Sequence, residues 1–100
     1  MHFGEIKERP LVLLTLPSLN DPDGEMLVVA GSTKSPRPEN LPFAVKVDGR
    51  RGGHPGTGLF EATWFYAGWI RTVKVREVTR FHRFFPIPAY ETLKEMIRNA

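Results

Sequence analysis

One hundred residues, with 41% hydrophobic content and 11% aromatics, are enough for one domain, 1–100, with one modest core. The chain has no cysteine, which excludes disulfide staples and thiolate metal sites. It has no signal-like opening and no run near the roughly 20 apolar residues of a membrane span, so a reducing cytoplasmic setting without membrane contact is expected. A net charge of +3 is mild but unevenly spread: Arg71, Lys74, Arg76, Arg80 and Arg83 crowd the last third. A basic face draws polyanions, although a solvated surface also accounts for any one of these residues.

In chain order, Arg9-Pro10 leads into a β-suited run, Leu11 to Leu16. Asn20-Asp21-Pro22-Asp23-Gly24 is a turn signal, with Pro for the fixed φ and Gly for positive φ, and it predicts a hairpin whose return strand is Glu25 to Ala30. That strand runs on into Gly31 and two hydroxyls, Ser32 and Thr33. Two prolines within Ser35-Pro36-Arg37-Pro38-Glu39-Asn40 remove donors and restrict their neighbours, so this stretch reads as a mobile loop. Phe43 to Val47 alternates as a half-buried strand, and Gly49 to Gly58 holds five glycines around Arg50, Arg51 and His54 and reads as a flexible tip. Leu59 to Tyr66 and Trp69 to Val73 read as two strands parted by Ala67-Gly68, and Glu77 to Phe84 as another. Pro86 and Pro88 open a helix that lines one face with Tyr90, Leu93, Met96 and Ile97. Five or so short strands and one closing helix predict a mainly β fold, a small and strongly bent barrel.

The hairpin carries the chemistry. It brings a fixed cation, Arg9, within reach of a hydroxyl pair, Ser32 and Thr33, which is the equipment needed to hold a phosphodiester. That points to RNA rather than to a small metabolite. Each residue also has a structural reading: Arg9 can pair with Glu8 or Glu25, Ser32 and Thr33 can turn the chain through local hydrogen bonds, and Arg50-Arg51 can be a solubilising hairpin. Trp64, Phe65, Tyr66 and Trp69 are either a base-stacking platform or core plus interface. His54 has a suitable ordinary pKa for proton transfer, yet a histidine in a glycine-rich tip is usually a solvent-exposed spacer. No paired carboxylates, metal-ligand spacing or phosphate-cradling glycine loop ahead of a helix is evident, so glycosidase, metalloenzyme and NTPase readings are weak and no cofactor is expected.

The order of these pieces resembles the MazF/PemK family of toxin endoribonucleases. An Arg-Pro opens a strand, an apolar strand ends in a hydroxyl, and Leu41-Pro42-Phe43, a glycine loop, Ile70-Arg71-Thr72 and a C-terminal helix follow. The resemblance covers nearly the whole chain from Arg9 onward. It implies an SH3-like barrel, a homodimer, metal-independent cleavage of single-stranded RNA at short sequences, and neutralisation by a cognate antitoxin. The family's catalytic arginine falls on Arg9 and its hydroxyl on Ser32, with Thr33 beside it; serine here replaces the usual threonine and loses the methyl that restricts χ1. Arg71 falls on the arginine of the Ile-Arg-Thr segment, and Trp69 stands where a polar residue is usual. Lys34, Arg50, Arg51, His54, Trp69 and Arg71 are the expected RNA-binding residues. Only eight residues precede Arg9, where the family begins with a longer strand, so Phe3-Gly4-Glu5-Ile6 reads as a remnant that leaves a sheet edge to be covered by another element. The competing expectation is a catalytically inactive SH3-like module that binds nucleic acid or a protein partner.

Overall fold

The computed structural model describes residues 3–6, 9–15, 18, 20–53, 59–81 and 85–99. Six strands are formed: β1 (Phe3–Ile6), β2 (Arg9–Leu13), β3 (Glu25–Ser32), β4 (Ala44–Val47), β5 (Thr63–Lys74) and β6 (Arg80–Phe81). They make one antiparallel sheet in the order β4-β5-β3-β2-β1-β6. The helix α1 (Ile87–Arg98) completes a mainly β fold, barrel-like in its bending, with two strand edges left unjoined among the described residues.

Alternation along β2 and β3 explains why both strands read as nearly continuous apolar runs: the sheet is buried on both faces. Leu11, Leu13, Met26 and Val28 point to one side, where they pack with Val73, Val75 and Val78. Val12 and Val29 point to the other, against Phe3, Val47, Phe65, Phe85, Tyr90 and Leu93. Helix α1 closes that second side, and the buried Tyr90 hydroxyl donates a hydrogen bond to the Leu13 carbonyl at 3.0 Å. Three rings fix the centre, with Phe65 edge-on to Phe85 at 4.9 Å and to Phe3 at 6.3 Å. A side chain on Gly31 would collide with Phe65 and Thr63, so this strand residue gives up its Cβ to let the ring lie across it.

The expected hairpin is present, with Leu11 opposite Ala30 and Leu13 opposite Val28, although β2 ends at Leu13 rather than Leu16. Four other expectations need correction. Phe3–Ile6 is not a remnant but a strand paired on both sides, to β2 and to β6, so the edge at β2 is covered. The expected strands Leu59 to Tyr66 and Trp69 to Val73 join in one continuous β5, which begins at Thr63 rather than Leu59. Ala67-Gly68 lies in an irregularity of the ladder: Val29 faces Ile70 and Gly31 faces Phe65, so Tyr66 to Trp69 oppose Ala30 alone and the sheet bends there. The expected proline loop has no regular structure over 35–37, but its second half opens a 3-10 helix, Pro38–Phe43, where proline's missing donor costs little. The expected strand Glu77 to Phe84 reduces to the 3-10 turn Val75–Glu77 and the two-residue β6, and 82–84 lie outside the described residues.

Candidate functional site

The register of the β2–β3 ladder, read on from Leu11 opposite Ala30, carries Arg9 to the end of β3 where Ser32 lies. Arg71 faces Val28 from the other side of β3, on the same face as Ala30 and Ser32. The result is a cleft of about 400 Å³ lined by Arg9, Ala30, Gly31, Ser32, Trp69, Ile70 and Arg71. Four residues singled out from the sequence, Arg9, Ser32, Trp69 and Arg71, therefore share one cleft, although 62 positions separate the first from the last.

Both guanidinium-bearing residues are exposed, and among the described residues neither side chain has an ion-pair or hydrogen-bond partner. Arg9 does not pair with Glu25, and Glu8 lies outside the described residues. Two unneutralised guanidinium groups on one cleft favour an anionic ligand, and each offers a planar fork of donors that fits phosphate. Ser32 Oγ accepts a hydrogen bond from the Lys34 amide at 3.1 Å, the local turn bond that serine commonly makes at a strand end. That bond uses a lone pair and leaves the hydroxyl proton free to be donated to a ligand oxygen.

The aromatic cluster divides between roles. Phe65 is fully buried core, while Trp64 lies under the Lys46 ammonium at 5.6 Å on the edge side of β5. Trp69 meets Tyr66 edge-on at 5.5 Å, is half-buried, and contributes to the cleft wall beside the exposed Ile70. Gly68 is held to glycine because a Cβ there would enter the Tyr66 ring.

Thr33, Lys34, Arg50 and Arg51 are exposed and line neither this cleft nor its neighbour. Arg50 closes the base of the β4–β5 loop, its amide donating to Leu59 O at 3.0 Å, and positive φ at Gly52 and Gly53 turns the chain there. His54 falls outside the described residues.

A second cleft of about 600 Å³ adjoins the first and shares Arg9, Ala30 and Arg71 with it. Its other lining residues are Ile6, Leu11, Glu77 and Thr79, none of them singled out from the sequence. Their assembly depends on β1 pairing with both β2 and the segment after β5, a long-range closure that no local pattern announces. Among the described residues no group of three or more His, Cys, Asp or Glu could hold a metal ion, and no helix is long and apolar enough to cross a membrane.

Comparison with known proteins rests on structure alone, since no family model and no curated protein matches the chain. Among solved structures it is similar to one described as "Crystal structure of Mtb toxin", with a TM-score of 0.71, 22% identity and 98% of each chain covered. That likeness spans the whole architecture and shows a shared fold.

Proposed function

We propose that this chain is a toxin endoribonuclease of the MazF/PemK type, cleaving single-stranded RNA without a metal. The observation that carries the reading is the pair of guanidinium groups, Arg9 and Arg71, without a partner among the described residues and on one cleft with the Ser32 hydroxyl. The fold shared with a protein described as a toxin supports it over 98% of both chains. A cytoplasmic homodimer with a cognate antitoxin as protein partner belongs to the same reading.

RNA supplies its own nucleophile. The 2′-oxygen forms a bond to the adjacent phosphorus, the bond from phosphorus to the 5′-oxygen breaks, and a 2′,3′-cyclic phosphate and a 5′-hydroxyl result. One proton leaves the 2′-oxygen and one is gained by the 5′-oxygen, so none is consumed overall. The protein's main task is to stabilise the charge that builds on the phosphorane-like transition state. Arg9 suits that task through its donor fork, and a guanidinium, which has donors and no acceptor, is a poor base. Ser32 donates to a non-bridging oxygen, with Thr33 beside it as the alternative hydroxyl. Arg71 holds the phosphate from the opposite side, and Trp69 offers a face for a neighbouring base. Lys34, Arg50 and Arg51 would steer the polyanion from outside the cleft, and His54 belongs to the same expected RNA-binding set.

The test is incubation of the purified protein, with chelator present, against a long mixed-sequence RNA and its DNA counterpart, beside Arg9→Ala. The expected result is cuts in RNA only, with cyclic phosphate ends, reduced about 10²- to 10³-fold by the substitution. Intact RNA in the presence of folded protein would refute the enzyme and favour a binding module on the same cleft.

A further inference from the structure

We propose that the second cleft is a nucleobase pocket that prefers guanine, with Glu77 reading the base's Watson–Crick edge; this rests on the reading of the chain as an RNA-cleaving protein. The floor of the cleft is apolar: Leu11 is 1% exposed, and Ile6 and Ala30 are half-buried against the same core cluster. A phosphate has no use for such a floor, whereas the flat face of a base does. The polar groups sit on the rim, as in small-molecule sites where a few polar atoms orient a ligand over an apolar bed. Because Arg9 and Arg71 border both clefts, a phosphodiester held between them would send one neighbouring base toward Trp69 and the other onto this floor.

The rim chemistry then selects among the bases. Thr79 Oγ1 already donates its proton to the Glu5 carbonyl at 3.2 Å, and the Thr79 amide donates to the same oxygen at 2.9 Å. The Thr79 hydroxyl is thereby left with acceptor capacity only. Glu77 is exposed and has no ion-pair or hydrogen-bond partner among the described residues. A carboxylate and a committed hydroxyl both demand N–H donors from the ligand. Guanine presents two adjacent donors, N1–H and N2–H, at the spacing of a carboxylate fork, and its O6 and N7 acceptors suit the guanidinium rim. Adenine and cytosine each set one amino group beside a ring-nitrogen acceptor, and uracil flanks its single N–H with two carbonyls. Each of these would bring a lone pair against the Glu77 carboxylate, which is selection by repulsion as well as attraction.

The experiment measures binding of the whole chain to uncleavable 2′-O-methyl pentanucleotides, UUXUU with X as G, A, C or U, by fluorescence anisotropy. The expected result is that X = G binds at least about fivefold more tightly than the others, the lower end for a bidentate pair at an exposed site. Glu77→Gln should erase that preference while binding the other three as tightly or more tightly, because a negative charge beside the phosphates is gone. Glu77→Asp, a second variant, should keep the preference at reduced size. Four equal affinities, no binding at all, a guanine preference that survives Glu77→Gln, or loss of cleavage in Glu77→Gln with base preference intact would each overturn the proposal. Arg9→Ala should weaken all four ligands alike. The chelator-resistant cleavage assay decides the ribonuclease reading separately, since wild-type protein that cuts RNA without base preference sinks the guanine pocket alone.

Discussion

Replacing Gly31 by alanine tests the packing and the cleft together, because the residue lies between the Phe65 ring and the wall that Arg9 and Ser32 share. An ideal Cβ at this position would stand 2.6 Å from Phe65 Cε1, 2.9 Å from Cζ and 2.8 Å from Thr63 Cγ2. Carbon atoms prefer separations of about 3.5 to 4.0 Å, so the neighbours must retreat by roughly 1 Å. Phe65 is 0% exposed and edge-packed on Phe85, so it cannot retreat without opening the first core cluster. Overpacking of this kind costs about 1–3 kcal/mol, and the reduced freedom of the unfolded chain returns about 0.4–1 kcal/mol. A net loss of about 1–2 kcal/mol should lower the melting temperature by roughly 4–16 °C for a domain of this size. Circular dichroism melts read the shift, and the double variant Gly31→Ala/Phe65→Leu should lose less than the sum of the two single changes, since the smaller side chain relieves the collision. An unchanged melting temperature in Gly31→Ala, or strict additivity in the double variant, would refute the account of why glycine stands there.

Three further outcomes follow from the same structure. Arg9→Lys keeps the charge but loses the planar fork, so RNA cleavage should fall while the salt dependence of binding to an uncleavable RNA stays as in the wild type; equal activity would remove the argument for bidentate phosphate contact. Arg71→Ala should instead reduce the slope of log affinity against log salt by about 0.7, the value for one phosphate contact on a single strand, and an unchanged slope would take Arg71 off the RNA. Tyr90→Phe should cost about 1–3 kcal/mol by leaving the buried Leu13 carbonyl without its donor. Burial first, and the Glu91 carboxylate second, push the Tyr90 phenol above its ordinary value of 10.0. A pKa raised on folding stabilises the native state below the unfolded value, and that contribution is lost as pH climbs through the folded value. The stability difference between wild type and Tyr90→Phe, followed by denaturant titration, should therefore shrink above about pH 10, and a difference that is flat across that range would contradict this.

Local chemistry made much of the fold legible. The turn at Asp21 to Gly24 carries its own signal in Pro22, although Gly24 closes it without the positive φ expected of it, and the apolar spacing of Tyr90 and Leu93 is that of a helix face, so both were readable without neighbours. The N-terminal strand was not. Phe3–Ile6 is only four residues long with glycine in the middle, and what makes it a strand is the ladder on each side, together with burial of Phe3 among the aromatic rings. Tertiary pairing overrode a weak local preference, as is usual for strands. At Ala67-Gly68 the sequence signalled an interruption correctly in position but not in kind: extra residues were accommodated by a bulge within β5 rather than by ending the strand. The proline-rich segment is a loop only over 35–37, since prolines that forbid a ladder are compatible with the short 3-10 turn that follows from Pro38.

The candidate site divides along the same line. Arg9 and Ser32 sit at the ends of strands adjacent in sequence, so a hairpin register is enough to bring them to one edge. Arg71 joins them because β5 pairs with the opposite side of β3, which hydrophobic patterning permits but does not specify. Glu77 and Thr79 reach Arg9 only after the chain has crossed the sheet and the Thr79 amide has bonded to the Glu5 carbonyl. A single carboxylate in a basic stretch has no periodicity and no spacing partner, and it stands apart from the other charged residues only when β1 has paired with both β2 and β6 and the cleft beside Arg9 has formed. That is why the cation of the site was visible in the sequence and its counterpart acid was not. It is also why the acid is informative: a carboxylate without a salt bridge among the described residues, at the rim of an apolar floor beside two arginines, works against anion binding unless it contributes selection in return.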